Sequence, residues 1–197
     1  MATIVVPFRS NDPKRRLDVG DDGRTALAHA MLADVLSAAV PIGAVLVVAP
    51  ERPALPSGVR HVDDPHRGQG AAVRAALDAA AADGLPAPFL VVNADVPCVD
   101  TRDLLALAGA VPDGGLALAV AADGTTNALA LAEERLFEPV YGPGSAGRFA
   151  ALAPSRRLDA PNLIDDVDTI DDLLRLRERL GANTRRALAA LDLPSAA

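Results

Sequence analysis

The sequence predicts a single α/β domain of the Rossmann-like class, in which a mostly parallel sheet is flanked by helices. Short aliphatic segments alternate with longer segments of helical periodicity, which is the pattern of parallel strands joined by crossover helices. Half of the 197 residues are hydrophobic but only 3% are aromatic, so aliphatic side chains must build the core. This length suits one domain, and no linker divides it. We assign residues 1–181 to the domain and 182–197 to a C-terminal surface helix and tail.

Six segments are predicted as strands because each is a short aliphatic run bounded by turn-forming residues. The first lies at the start of the sequence, and the fourth runs directly into Ala94 and Asp95. The predicted strands are 3–6, 43–49, 59–62, 89–93, 116–121 and 127–131.

The segments between and after these strands are predicted as helices. From Leu27 to Leu36 the apolar residues recur three and four positions apart. Thr101 and Thr169 are placed to cap the helices that follow them, each with aspartate in the first turn. The predicted helices with defined bounds are 24–40, 70–83, 169–180 and 183–191, and Gly181 is expected to stop the third. One further helix is predicted after Thr101 and a short one after Ser145.

Composition narrows the classes of function. The net charge of −7, with no basic stripe, argues against a nucleic-acid partner. The one cysteine, Cys98, allows no disulfide within the chain and no cysteine-type zinc site, so a cytoplasmic location is expected. Charges or prolines interrupt each apolar run, which predicts no membrane span. Nucleotides remain plausible ligands, since carboxylates hold the cations that accompany phosphates.

The strand end at Asp95 is the most informative position. Ligands of open parallel sheets bind outside the carboxyl ends of the strands, and Asp95 lies just past such an end. A carboxylate there is placed to hold a divalent cation beside phosphates. Aspartate is also common in turns after strands, so this residue alone favours neither interpretation.

A second acidic segment precedes the helix at Thr169. Asp166 and Asp168 are two apart in a stretch that reads as extended, so they point to the same side. Their mutual repulsion favours a bound cation once Asp95 is included. The alternative is an exposed acidic turn before a helix. We prefer this alternative for Asp171 and Asp172, because negative charges in the first turn interact favourably with the helix dipole.

Basic residues cluster in the loop that follows the first strand. The loop holds Pro7, Arg9, Lys14 and Arg16 and would face the ligand crevice, where cations can bind a triphosphate. It lacks the glycine and lysine spacing of a P-loop. On its own, a solvated basic loop is the simpler interpretation.

Two glycine-containing turns could bind an anion through backbone amides. One is Gly124-Thr125-Thr126-Asn127, between two predicted strands, and the other is Gly142-Pro143-Gly144-Ser145, before a helix. Ordinary turn chemistry explains each turn equally well.

Several of these motifs occur together, in one order, over residues 4 to about 176. The pieces are Val6-Pro7 followed by Lys14-Arg15-Arg16-Leu17, Gly68-Gln69-Gly70, Asp95-Val96-Pro97, Gly124-Thr125-Thr126-Asn127-Ala128-Leu129, Tyr141-Gly142-Pro143-Gly144-Ser145 and Asp166-Val167-Asp168-Thr169. In this combination the chain resembles the CofC/FbiD family, which are phosphoenolpyruvate or 2-phospho-L-lactate guanylyltransferases of coenzyme F420 biosynthesis with a GT-A/MobA-like fold. It departs from the family's usual Gly-Leu-Asn at 68–70, and it has Ala146 and Phe149 where the family usually has Phe and His.

The resemblance implies a role for each match. Asp95, Asp166 and Asp168 would bind Mg²⁺ or Mn²⁺, and Lys14 and Arg16 would act with Asp95 on the GTP phosphates. The nucleotide would lie along Pro7, Arg9, Gly68 and Gly70. Thr126, Gly142 and Ser145 would hold the small phosphorylated carboxylic acid that receives GMP.

Two rival interpretations stay open at this point. One is another MobA-like nucleotidyltransferase with a different acceptor, such as 3-phosphoglycerate, a sugar phosphate or molybdenum cofactor. The other is a nucleotide-binding module without catalysis. The choice of acceptor, the preference for GTP, the number of metal ions and the oligomeric state, monomer or homodimer, are also open.

Overall fold

A computed structural model describes residues 1–9, 17 and 19–191 of the protein. Lys14 and Arg16, which we predict to bind phosphate, lie outside these residues. The strands are β1 (Ala2–Pro7), β2 (Gly43–Ala49), β3 (Val59–Asp63), β4 (Phe89–Val92), β5 (Leu116–Val120), β6 (Thr126–Leu131) and β7 (Ser155–Arg157). The helices are α1 (Asp21–Ala39), α2 (Gln69–Ala82), α3 (Thr101–Gly109), α4 (Ser145–Ala150), α5 (Pro161–Ile164), α6 (Ile170–Leu176) and α7 (Ala182–Ala189).

The seven described strands form one sheet in the order β3-β2-β1-β4-β6-β5-β7. Strands β1 to β4 pair in parallel, and β7 pairs in parallel with β5. Strand β6 pairs antiparallel with both β4 and β5, and its pairing with β5 is a hairpin, since only a short turn separates the two strands. The predicted α/β class with a mostly parallel sheet is therefore confirmed.

Helices cover both faces of this sheet. Successive side chains of a strand point to opposite faces, so in β1 Ile4 and Val6 pack under α1 and α3, whereas Val5 packs under α2. A third, smaller cluster lies between the first half of α1, α6, α7 and the segment around Val167. Aliphatic side chains thus build two clusters on opposite faces of the sheet and a third, smaller cluster beside them.

Three predicted helix boundaries differ from those of the structure. Asp100, not Thr101, caps α3 in a reciprocal capping box with Asp103, and the Thr101 hydroxyl donates to the carbonyl of Ala38. Helix α6 ends at Leu176, well before the predicted end. Gly181 therefore does not stop this helix, and it is instead the N-cap of α7.

One helical segment meets the length and composition expected of a membrane span, although Asp34 interrupts it. Residues Asp21–Ile42 are long and apolar enough by length and composition alone. Half of the relevant window is buried inside the protein, and α1 packs under the sheet through Leu32, Val35 and Leu36. The apolar character of α1 is that of a helix packed against a core.

Candidate active site

A cavity of about 350 Å³ opens at the carboxyl ends of β1 to β4. This is the edge where ligands bind in open parallel sheets. One wall comes from the first half of α1, and the opposite wall comes from the start of α2 and the segment after β4. The lining residues are Pro7, Phe8, Arg9, Leu17, Arg24, Ala28, Met31, Val48, Asp64, Gln69, Ala72, Asn93, Ala94 and Asp95.

Asp95, Asp166 and Asp168 converge beside this cavity. Each offers one ligand atom, and these atoms lie within 4.8 Å of one another. The prediction that three acids far apart in sequence meet at one place is confirmed as geometry.

A backbone contact explains the convergence. The Val167 N–H donates to the carbonyl oxygen of Asp95 at 2.9 Å. The Val167 side chain is buried in the small cluster against Leu173 and Leu176. Because adjacent side chains in an extended segment point in opposite directions, burying Val167 turns Asp166 and Asp168 toward Asp95.

Three carboxylates this close repel one another unless a cation or solvent compensates them. Oxygen-only donors at this spacing suit a hard divalent cation such as Mg²⁺ or Mn²⁺. The donor set therefore fits the metal that the sequence implies, and metal binding itself stays a prediction.

The acids next to this trio have other roles. Asp165 forms ion pairs with Arg175, at 3.0 Å, and with Arg179. Partial burial acts to raise the pKa of Asp165, but hydrogen bonds from both arginines outweigh burial and hold the pKa below its ordinary value. Asp172 accepts from the Thr169 backbone in a capping box, as the helix-cap interpretation predicts.

Arg9 is held on the cavity wall by a buried carboxylate. Asp64 is 4% exposed and accepts from Arg9 Nε at 3.1 Å and from the His66 N–H at 2.8 Å. Pro7 also lines the cavity. Pro7 and Arg9 therefore lie on the wall of the cavity, and a fixed guanidinium is suited to phosphate, but contact of either residue with a nucleotide stays a prediction.

The two predicted glycines are placed differently. Gln69, which lies between them, lines the cavity, whereas Gly68 and Gly70 are not among its lining residues. A Cβ on Gly70 would lie 2.5 Å from Cβ of Pro139, so close packing already accounts for glycine there. Contact of Gly68 and Gly70 with a nucleoside stays a prediction.

Thr126 and Ser145 come together, although not on the cavity wall. The Ser145 hydroxyl donates to Thr126 Oγ1 at 3.2 Å, and the two residues are 0% and 3% exposed, respectively. Gly142, in the turn before α4, is exposed. Arg148 donates to carbonyl oxygens of Val140 and of the turn, including that of Gly142. An anion could reach this region at the turn's surface, and the acceptor role stays a prediction.

Sequence reasoning missed four polar residues of the cavity: Arg24, Asp64, Gln69 and Asn93. The signal was available for Asp64 and Asn93, since each directly follows a strand, β3 and β4, at the ligand edge of the sheet. Gln69 carries no such signal, because only folding places the start of α2 beside Asn93.

Cys98 lies near this site but offers no chemistry to it. Its side chain is buried in the small cluster with Met31 and Val167. Burial raises the pKa of the Cys98 thiol to about 11, against an opposing effect of Arg179. The thiol therefore stays protonated at neutral pH, in keeping with the absence of a nucleophile role for it in the sequence analysis.

A cavity at this edge of a mostly parallel sheet, with a fixed arginine and a carboxylate trio beside it, defines a nucleotide-handling α/β enzyme. Comparison with known protein families identifies the particular family of such enzymes. The chain belongs to the MobA-like NTP transferase domain family, whose model matches residues 8–161.

Relatives carry more specific names. The phosphoenolpyruvate guanylyltransferase of Roseiflexus sp. is 35% identical in an alignment that covers 86% of this chain and 81% of that protein. The 3-phospho-D-glycerate guanylyltransferase of Phenylobacterium zucineum is 33% identical over 87% of this chain and 86% of its own length. The 2-phospho-L-lactate guanylyltransferase of Archaeoglobus fulgidus is 30% identical over 88% of this chain and 82% of its own length. The resemblance drawn from the motifs is therefore confirmed.

A solved structure supports the fold. The 2-C-methyl-D-erythritol 4-phosphate cytidylyltransferase of Thermus thermophilus matches with a TM-score of 0.57 at 19% identity, over 87% of this chain and 95% of its own. At this identity the likeness shows the fold alone.

Proposed function

We propose that this protein is a metal-dependent guanylyltransferase that transfers GMP from GTP to a small phosphorylated carboxylic acid and releases pyrophosphate. The observation that carries the proposal is the carboxylate trio beside a cavity at the nucleotide edge of a MobA-like fold. Phosphoenolpyruvate or 2-phospho-L-lactate is the proposed acceptor, which would place the reaction in coenzyme F420 biosynthesis. The proposed location is the cytoplasm.

The reaction needs alignment and charge neutralisation more than proton transfer. A phosphate oxygen of the acceptor forms a bond to the α-phosphorus of GTP as the bond from that phosphorus to the bridging oxygen breaks. The electron pair leaves with pyrophosphate. Because the acceptor phosphate is ionised at neutral pH, no general base is required.

The chain's own residues divide this work. Asp95, Asp166 and Asp168 would hold Mg²⁺, which when bound neutralises charge on the phosphates. Arg9, fixed by Asp64, would hold a phosphate oxygen through its remaining N–H groups. The apolar wall that includes Met31 and Val48 would exclude water from one side of the nucleoside.

A pyrophosphate-release assay tests the proposal. The assay crosses GTP, ATP, CTP and UTP with phosphoenolpyruvate, 2-phospho-L-lactate and 3-phosphoglycerate. We expect release only with GTP, with one of the first two acids preferred, and loss of release on chelation of divalent cations. Asp95→Asn should lower kcat by at least about a hundredfold, since it removes a charge from the metal site.

The matched control is Asp171→Asn, the same change at an exposed carboxylate in the first turn of α6. It should stay within about twofold of the parent. Release that prefers 3-phosphoglycerate would select the first rival, a different acceptor. GTP binding with no release for any acid would select the second rival, a module without catalysis.

A further inference from the structure

The amide of Asn93 is fixed in one orientation by the backbone around it. Its Nδ2 lies 3.3 Å from the Thr126 carbonyl oxygen, and its backbone N–H donates to the carbonyl of Asn127 at 2.9 Å. A carbonyl oxygen can only accept, so the Asn93 atom facing Thr126 must be the NH₂ group. Oδ1 of Asn93 is therefore the acceptor atom of this amide.

This orientation is passed on to Gln69. Gln69 Nε2 donates to Asn93 Oδ1 at 2.8 Å. With its NH₂ group engaged, Gln69 presents Oε1 as an acceptor, and no donor among the described residues bonds to that oxygen. Two consecutive hydrogen bonds thus determine which atom of the Gln69 amide is left as an acceptor on the cavity wall.

The surroundings of Gln69 are suited to a flat heterocycle. It is the first residue of α2 and lines the cavity with Ala72 of the same helix and Val48 of β2. The nearby carboxylate of Asp64 is already bonded to Arg9 and to the His66 backbone. Gln69 therefore supplies an available acceptor beside apolar wall, which fits the N–H edge of a base better than a hydrated sugar.

We propose that Gln69 Oε1 accepts hydrogen bonds from the ring N–H and exocyclic amino group of guanine, making Gln69 a determinant of base specificity. Asn93 is a positioning residue that keeps the Gln69 amide in its accepting orientation. This proposal rests on the proposed function, because it deepens the choice of GTP as donor.

The sequence itself suggests the test substitution. The motif at 68–70 has Gln where the family that the chain resembles usually has Leu, so Gln69→Leu keeps a side chain of similar size that this fold accommodates. Inosine triphosphate (ITP) is the matching change in the ligand, since it lacks the exocyclic amino group. Measuring Gln69→Leu and the parent protein with both GTP and ITP gives the interaction energy between the Gln69 side chain and the exocyclic amino group.

We expect the parent protein to prefer GTP over ITP by about fivefold in kcat/KM, the size of one hydrogen bond between neutral groups. In Gln69→Leu this ratio should fall below about twofold, mainly through loss of activity with GTP. Asn93→Ala should also lower the ratio, and it should have no further effect on the ratio in the Gln69→Leu background. A merely structural role for Asn93 would lower both activities and leave the ratio unchanged.

Calorimetric Kd values for GTP and ITP with Mg²⁺ give the same ratio without turnover. If no acid is guanylylated but the Kd ratio responds to Gln69→Leu, the proposed acceptor reaction fails and the base-reading role stands. An unchanged GTP-to-ITP ratio in folded Gln69→Leu overturns the role. A changed ratio of GTP to 2′-deoxy-GTP with no change in GTP to ITP also overturns it, because Gln69 would then read the ribose.

Discussion

At the scale of single residues, neighbours in sequence have opposite roles. Asp166 and Asp168 contribute to the carboxylate trio, whereas Asp165 is bound by Arg175 and Arg179. The difference follows from direction, because Val167 is buried and its two neighbours face the other way. An acidic run is therefore divided into ligands and ion-pair partners by the burial of one aliphatic side chain.

Ser145→Ala tests the predicted acceptor region at this scale. Ser145 is fully buried, so we expect it to act by holding the turn at Gly142 against β6 through Thr126. Losing that hydrogen bond should raise the acceptor KM about three- to tenfold and leave the KM for GTP within twofold. Steady-state kinetics and a thermal melt on the same sample give both values.

Ser155→Ala is the matched control, because the Ser155 hydroxyl bonds to Ala150 at the other end of α4 and is exposed. It should leave both KM values unchanged. A lower Tm for Ser145→Ala with an unchanged acceptor KM would contradict the acceptor role and leave a purely structural hydroxyl pair.

At the scale of elements, a buried aspartate attaches the last helix to the domain. Asp34, in the middle of α1, is 5% exposed and accepts from the backbone N–H groups of Asn183 and Thr184, at 2.9 and 2.8 Å. A Cβ on Gly181 would lie 2.1 Å from the Asp34 carboxyl carbon, so the contact also requires glycine. Helix α7 thus begins on the carboxylate of another helix, which acts as its N-terminal cap.

We expect Asp34→Ala to lower the free energy of unfolding by about 2–3 kcal/mol, because it removes charged acceptors from buried N–H groups at a helix start. Urea denaturation followed by circular dichroism measures this. Asp78→Ala removes an exposed ion pair with Arg74 on α2 and should cost less than about 0.5 kcal/mol. Equal effects of the two changes would mean that α7 adds nothing to the stability of the domain.

At the scale of the whole molecule, Cys98 reports on opening of the fold. It is the one cysteine in the sequence and is buried where α1, α6 and the segment after β4 meet. We expect a thiol reagent at pH 8 to label Cys98 only when the fold opens locally or globally, so the labelling rate measures that opening.

The raised pKa of Cys98 also predicts the direction of a pH effect. The folded pKa of about 11 lies above the ordinary thiol value of 9.0, so the native state disfavours the thiolate. Its contribution to stability is complete below pH 9 and is lost as the pH rises toward 11. Cys98→Ala should remove this part of the alkaline loss in denaturant titrations at pH 8 and pH 10.5. A parent and variant that lose stability equally over that interval would contradict the raised pKa.

The sequence by itself determined the α/β class, the segments of β1 to β6 and the three acids, whereas β7, which is short and fully exposed, was not predicted. These are local properties, since aliphatic runs and capping residues act over a few positions, and a carboxylate after a strand lies at a known edge. It also determined the family, because motifs such as those at Asp95 and Asp166 keep their order along the chain.

Only the tertiary structure decided which polar groups meet across the sheet. Asn93 and Thr126 meet because β6 lies beside β4 in the sheet. Gln69 meets Asn93 because the start of α2 lies beside the end of β4. Asp34 caps a helix that begins far along the chain. Such contacts join residues whose local patterns are independent of each other, so their pairing is set by strand order and helix docking rather than by any local signal.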